Sequence, residues 1–348
     1  QVELSTTPDT HPLAPLLLDF ASAREAQPDL PLPQSHFYPG GRSRIDRHIA
    51  LARDSHAQRF GQAPSGMWPA EGAVSSAFLQ QLATQGCRWA ASSQGVLANS
   101  LRRKHADSPK SPVYRPWRIE AAPGLAVFFR DERLSDLIGF EYAKWHGRDA
   151  AQHFVDQLAR IRDEAPAGET PLVCVILDGE NAWEHYPYNA YFFFEDLYGL
   201  IAEQAWLTTT TCSDWLASHP ERTETLPDLV AGSWVYGTFS TWIGDADKNR
   251  AWDLLCAAKQ AYDLVMDSGR LDDAAQRAAE AQLAVCEGSD WFWWFGDYNP
   301  GEAVSNFEQQ FRLNLANLYR LLGEQPPAYL ALSFTQGSGD PAMGGAMR

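Results

Sequence analysis

The sequence is poor in cysteine, in positive charge and in long apolar runs, and each shortage excludes something. Five cysteines (Cys87, Cys174, Cys212, Cys256, Cys286) are odd in number, widely spaced and without a Cys-x-x-Cys pair. That pattern suits reduced thiols rather than a disulfide framework or a zinc knot, and it makes a cytoplasmic location the expectation. Lys and Arg number 28 against 44 Asp and Glu, a formal balance of 28 − 44 = −16. So acidic a chain offers no basic face for nucleic acid and little attraction for an anionic membrane surface. No stretch approaches the roughly 20 apolar residues of a membrane span. The most apolar candidate, Ala190 to Ala202, is broken by Glu195 and Asp196, and nothing in the residues present reads as a signal peptide.

What is abundant is aromatic: 13 Trp and 12 Tyr among 348 residues of which only 21% are charged. Tryptophan in such numbers either packs large surfaces or stacks on something flat. Sugar rings present flat C–H faces, so carbohydrate is a partner that would suit this chain; core packing is the ordinary reading of any single Trp.

Up to about residue 235, short apolar runs alternate with helical patterns. Val2–Thr6, Cys87–Ala91, Leu125–Phe129, Leu172–Leu177 and Leu207–Thr211 read as strands. Most are continuously apolar, as in a parallel sheet covered on both faces. Ala73–Gly86 and Ala150–Glu164 read as helices between them. The repeat predicts an α/β fold, a barrel or an open sheet. Two Pro/Ser/basic loops, Pro28–Pro39 and Leu101–Pro116, interrupt it. The Arg102-Arg103-Lys104-His105 run in the second reads as a solvated loop. From residue 236 to 335 the pattern turns helical: Ala246–Asp267, Asp272–Cys286 and Ala303–Leu322, each closed by a glycine, predict a C-terminal bundle. Residues 336–348 read as a disordered tail.

In parallel α/β folds function gathers at the carboxyl ends of strands. Those ends carry Asp178-Gly179-Glu180 after Leu172–Leu177, Arg130-Asp131 after Leu125–Phe129, His11 after Val2–Thr6, and Glu71 in Trp68-Pro69-Ala70-Glu71 before a helix. Two carboxyl groups at such a mouth are what glycoside cleavage needs: one to attack the anomeric carbon, one to protonate the departing oxygen. Glu71 and Asp178, beside Trp68 and Trp183, are the pair selected. Each has an ordinary alternative; Glu71 could simply face a helix N-terminus.

Several segments resemble glycoside hydrolase family 57, the retaining α-glucan-active enzymes that include α-amylases, amylopullulanases, 4-α-glucanotransferases and branching enzymes. Gln1-Val2-Glu3-Leu4 looks like the end of the family's second motif. Gly66-Met67-Trp68-Pro69-Ala70-Glu71 looks like the third, with the nucleophilic Glu, and Val175-Ile176-Leu177-Asp178-Gly179-Glu180-Asn181 like the fourth, with the acid/base Asp. Gly232-Ser233-Trp234, Thr241-Trp242-Ile243-Gly244 and Gly288-Ser289-Asp290-Trp291-Phe292-Trp293-Trp294 fit its later pieces. The family's first motif, His-Gln-Pro, has no counterpart; the only His-Pro pairs are His11-Pro12 and His219-Pro220.

The resemblance implies a (β/α) barrel, incomplete or seven-stranded, followed by the helical bundle, with its first strand expected upstream of Gln1. It implies a retaining hydrolase, α-amylase- or amylopullulanase-like, with Glu71 and Asp178 roughly 5–5.5 Å apart, an α-glucan or maltooligosaccharide as substrate and no cofactor. His11, Trp68, Arg130, Asp131, Glu180, Trp183, Trp234, Trp242, Asp290, Trp291 and Trp294 are candidate sugar contacts. A mutual Arg130–Asp131 ion pair is the ordinary reading of those two, and the Trp residues could instead line the seam between barrel and bundle. A glucan transferase or branching enzyme of the family, and a non-catalytic glucan-binding protein, are the alternatives. A metal-dependent deacetylase or mannosidase would need clustered Asp and His ligands, and the nine His are dispersed along the chain; no metal is expected.

Overall fold

The computed structural model describes residues 2–103, 112–335 and 337. Lys104 and His105 of the basic run, and nearly all of the expected tail, lie outside them.

Helices form where apolar spacing and a cap coincide. Ser75 accepts a hydrogen bond from Phe78 N and starts Ser76–Thr84, which buries Phe78, Leu79 and Leu82. Asp245 caps Ala246–Asp267 and Asp272 caps Asp273–Cys286 in the same way. Gly301–Leu321 turns one stripe inward, Val304, Phe311, Leu315 and Leu318. The long helix Gly41–Phe60 ends at Gly61, whose φ of 79° lies in the left-handed region that glycine enters freely.

Five strands make one sheet in the order β1-β2-β4-β3-β5. β1 (Gly66–Met67), β2 (Trp89–Ser93) and β4 (Ala122–Arg130) run parallel, with Ala90 opposite Val127. β3 (Trp117–Ile119) lies antiparallel to β4, and β5 (Glu224–Leu226) parallel to β3. Both faces are covered. Met67, Ala90, Val127 and Phe129 join the main core, while Trp89, Ala91, Ala126 and Phe128 face the other way onto Leu172, Cys174 and Ile176.

Three expected strands come out differently. Val2–Thr6 contributes a single bridge, Thr6 to Met67. Leu172–Leu177 and Leu207–Thr211 run without ladder pairing. The physical reason for the first of these two is that β4 already has ladder neighbours on both sides, β2 and β3, the latter not revealed by the apolar pattern. Isolated bonds hold Leu172–Leu177 instead, among them Leu172 N to Tyr114 O (2.9 Å), Asp131 N to Cys174 O (2.8 Å) and Ile176 N to Ser135 Oγ (3.1 Å). Between these segments and the sheet lies a cavity of about 1020 Å³ lined by Trp68, Trp89, Phe128, Cys174, Asp178 and Trp215, among others.

The main core is continuous from the sheet through Ile45 and Ile49 to Leu255, Leu283, Phe311 and Leu318 of the later helices. Trp252 lies stacked on Phe292 at 3.8 Å within it. Among the described residues no helix is long and apolar enough to cross a membrane, and the five cysteines are free.

At the end of Asp273–Cys286 sits Glu287, fully buried. Arg44 donates to both its oxygens (2.8 Å each), His48 Nε2 lies 2.7 Å away and Tyr38 OH donates at 2.5 Å. Burial alone would raise its pKa; the hydrogen bonds and charges of His48 and Arg44 outweigh burial and bring it to about 2. A carboxyl held below its unfolded value contributes stability that is present above about pH 4.5 and is lost as pH falls toward about 2. Urea unfolding of the wild type should therefore shift to lower denaturant below pH 4.5. Glu287→Gln should cost about 3–5 kcal/mol at pH 7, because it strands Arg44 in the interior, and should lose less on acidification. An unchanged urea midpoint for the variant would disprove the role given to this carboxylate.

Candidate active site

Glu71 stands on the turn that follows β1. Its backbone and that of Gly72 are both left-handed (φ 59° and 57°), a conformation that costs a non-glycine residue roughly 1–2 kcal/mol. Gly72 N bonds Pro69 O at 2.8 Å and Trp234 N bonds Glu71 O at 3.0 Å, which holds the turn shut. Gly72 is required there: a Cβ would stand 3.0 Å from the Trp68 ring and 3.1 Å from Trp234 Cβ. The helix that follows begins at Ser76 under its own Ser75 cap, so Glu71 is not its electrostatic partner. Instead Trp234 Nε1 donates to Glu71 Oε2 at 2.9 Å, and Trp234 meets Trp68 edge-to-face at 5.2 Å.

Thr10 and His11 form a second left-handed turn (φ 56° and 58°). It is tied to the segment after Asp273–Cys286 by a Pro12–Gly288 bridge and by Ser289 N donating to His11 O at 2.9 Å. His11 Nδ1 and Ser289 Oγ share a hydrogen bond of 2.9 Å. The next residue, Asp290, reaches the same place, so one donor atom each from His11, Glu71 and Asp290 lie within 4.8 Å of one another.

Asp178 caps the short helix Gly179–Trp183 by position, but its side chain is not spent on the cap; Asn181 Nδ2 donates to its Oδ2 at 3.1 Å. With Trp68, Trp234 and Glu180 it lines the large cavity. Burial raises the pKa of Glu71 to about 7; the Trp234 donor opposes this, and the charges of Asp290 and Asp178 add to it. Asp178 is also raised, by burial and by Glu180, against Asn181 and Arg130. Burial lowers His11, with Asp290 opposing. The charge of Asp178 thus reaches Glu71, which brings the two carboxyls chosen from sequence to one site.

The other candidates divide. Arg130 is buried at the end of β4; it pairs with Asp136 at 2.5 Å, not with Asp131, and its guanidinium lies 5.4 Å from the Trp234 ring. Asp131 is buried too, accepting from Leu134 N and from Tyr114 OH (2.8 Å each), and acts as a cap. The expected Arg130–Asp131 pair is therefore replaced by these partners. Glu180 is exposed beside Asp178. Trp183 packs on Tyr186 and Phe194. Trp242 is 0% exposed, with Trp252 donating to its carbonyl, so it has no face open to a sugar. Trp291 and Trp294 are half-buried against Phe307 of the last helix. Ser289, missed as a candidate, sat inside a quoted motif; a lone serine beside an acid carries no signal until the fold sets it against His11.

Residues 1–227 match the profile of glycosyl hydrolase family 57. The fold resembles a branching enzyme of that family from Thermococcus kodakaraensis, determined in complex with glucose, at 16% identity and a TM-score of 0.71 over 92% of this chain and 66% of that one. A branching enzyme from Pyrococcus horikoshii follows at 19%, 0.70, 92% and 64%, and an α-amylase from Thermotoga maritima at 17%, 0.64, 92% and 67%. This chain spans about two thirds of the length of each, and at these identities the likeness is one of mixed α/β fold. No curated protein matches the sequence.

Trp234→Phe keeps the ring against Trp68 and removes the donor to Glu71. The Glu71 carboxyl should then titrate above its wild-type midpoint of about 7, followed by its infrared carboxyl band; an unmoved or lowered midpoint would contradict the hydrogen bond's part in holding the anion.

Proposed function

The chain belongs to glycosyl hydrolase family 57, and on that premise we propose that it is a retaining enzyme acting on α-glucans, with Glu71 as nucleophile and Asp178 as acid/base. The observation that supports this most is that Glu71 and Asp178, part-buried and delivered by separate turns, stand close enough for the Asp178 charge to raise Glu71, beside the edge-to-face indoles of Trp68 and Trp234. In this reading a glucosyl unit stacks on one of these indoles. A Glu71 oxygen attacks the anomeric carbon while the glycosidic C–O bond breaks and Asp178 gives its proton to the departing oxygen. Water, or the hydroxyl of another sugar, then loses its proton to Asp178 and attacks the same carbon, releasing Glu71. Two inversions at one carbon preserve the α configuration.

The Trp234 N–H serves the anionic form of Glu71, and burial makes that anion poorly solvated and correspondingly reactive. Arg130, near both Asp178 and Trp234, adds positive charge on the acid's side of the site. By protonation alone Glu71, with the pKa near 7, would pass for the acid; the family resemblance assigns it as the nucleophile. The same reading takes the sheet as part of the family's barrel, followed by a helical unit from about residue 236, and sets the protein in the cytoplasm. Transfer rather than hydrolysis is the second reading, because two of the structures it resembles are branching enzymes.

With an activated maltooligosaccharide as substrate, Glu71→Gln should lose at least about 10³-fold in kcat; a rate equal to wild type would remove Glu71 from the mechanism and favour a binding protein. Azide separates the roles: it should rescue Glu71→Ala to give a β-glycosyl azide and Asp178→Ala to give the α-anomer, and exchanged anomers would exchange the assignments. Incubation with maltoheptaose should yield shorter oligosaccharides only. Products longer or more branched than the substrate would establish transfer instead.

A further inference from the structure

The nine histidines are scattered along the chain, but folding brings one of them to two carboxylates. His11, Glu71 and Asp290 come from three separate stretches, and one donor atom of each lies within 4.8 Å of the others. One imidazole nitrogen and two carboxylate oxygens form a ligand set for zinc, with which other positions are filled by water; the imidazole disfavours calcium and magnesium, which prefer oxygen alone.

Each of two donors is also oriented from behind, as ligands of bound metals are. Ser289 Oγ shares a hydrogen bond of 2.9 Å with His11 Nδ1, which fixes the ring's orientation. Trp234 Nε1 donates to Glu71 Oε2 at 2.9 Å and so fixes the carboxylate's orientation. Both side chains rise from left-handed turns that hydrogen bonds lock, so little ordering is left for the ion to impose. Asp290 is exposed, and a cavity of about 450 Å³ lined by Thr6, Thr7, Asp9, His11, Ser55 and Asp290, among others, provides a way in from solvent. Two carboxylates crowded together repel each other, and a divalent cation between them relieves that repulsion.

We propose that His11, Glu71 and Asp290 bind one zinc ion, and that the bound ion silences turnover by occupying the Glu71 carboxylate. The ligand set stands on geometry; the silencing rests on Glu71 being the nucleophile. Substrate and zinc then exclude one another, since both need the same carboxylate oxygen.

The test uses the full chain, stripped with EDTA and titrated calorimetrically with zinc chloride alone. One ion per chain is expected, with affinity falling at least about 10-fold in His11→Gln and in Asp290→Asn, the latter an isosteric change that serves if the former does not fold by circular dichroism. Magnesium chloride at the same concentration should not compete. No binding at millimolar zinc, or equal affinity in wild type and Asp290→Asn, would overturn the site. Zinc should also suppress maltooligosaccharide turnover, reversibly with EDTA; full turnover with the ion bound would overturn the silencing. A wild type that binds zinc as expected but turns over no glucan would leave the site standing and remove the proposed function, so the two failures are distinguishable.

Discussion

A charge without water must be wholly partnered, and Glu287 is where this molecule meets that demand. Two guanidinium contacts, an imidazole and a phenol converge on one carboxylate that solvent does not reach. Its neighbours in sequence are Gly288, which pairs with Pro12, Ser289, which holds His11, and Asp290, which stands beside Glu71. The ion cluster clamps the end of Asp273–Cys286 onto Gly41–Phe60. A neutral side chain in place of Glu287 would leave Arg44 with Glu280 alone, at 3.5 Å, as its carboxylate partner and loosen the seam on which the site is built.

The site spends backbone freedom to gain position. Thr10, His11 and Glu71 all adopt positive φ, a cost that persists only because the surroundings over-determine it. Around Glu71 the constraint comes from Trp234, which bonds both the carbonyl and the carboxylate of the same residue. One indole thus fixes the turn, supplies a donor and packs edge-to-face on Trp68. The electrostatics follow from that placement: a carboxyl drawn into apolar surroundings beside two other acids holds its proton to about pH 7.

Much of this was legible without coordinates where the signal is local. Ala246–Asp267 and Asp272–Cys286 are placed by apolar spacing and a glycine that follows, and the structure adds the side-chain caps Asp245 and Asp272. Glu71 and Asp178 stood out because strand-end loops collect chemistry, and the motifs around them carry a family resemblance. Where pairing partners are distant, the reading fell short. Leu172–Leu177 has the composition of a strand, but β3 folds back on β4 and takes its edge. Trp242 and Trp234 are the same residue type in neighbouring motifs; one is sealed in the core and the other reaches the site. Arg130 and Asp131 are adjacent in sequence, yet consecutive residues leave a strand in opposite directions, so each found another partner.

Sequence alone thus determined the α/β character, the helices after residue 245 and the family, and singled out the two carboxyls, because composition, periodicity and short motifs are properties of contiguous residues. Tertiary structure decided which histidine meets which acid, which indoles stay open, where the sheet's edges are spent and how far burial shifts each proton. Those depend on distances between residues as far apart as His11 and Asp290, and no contiguous pattern encodes such a distance.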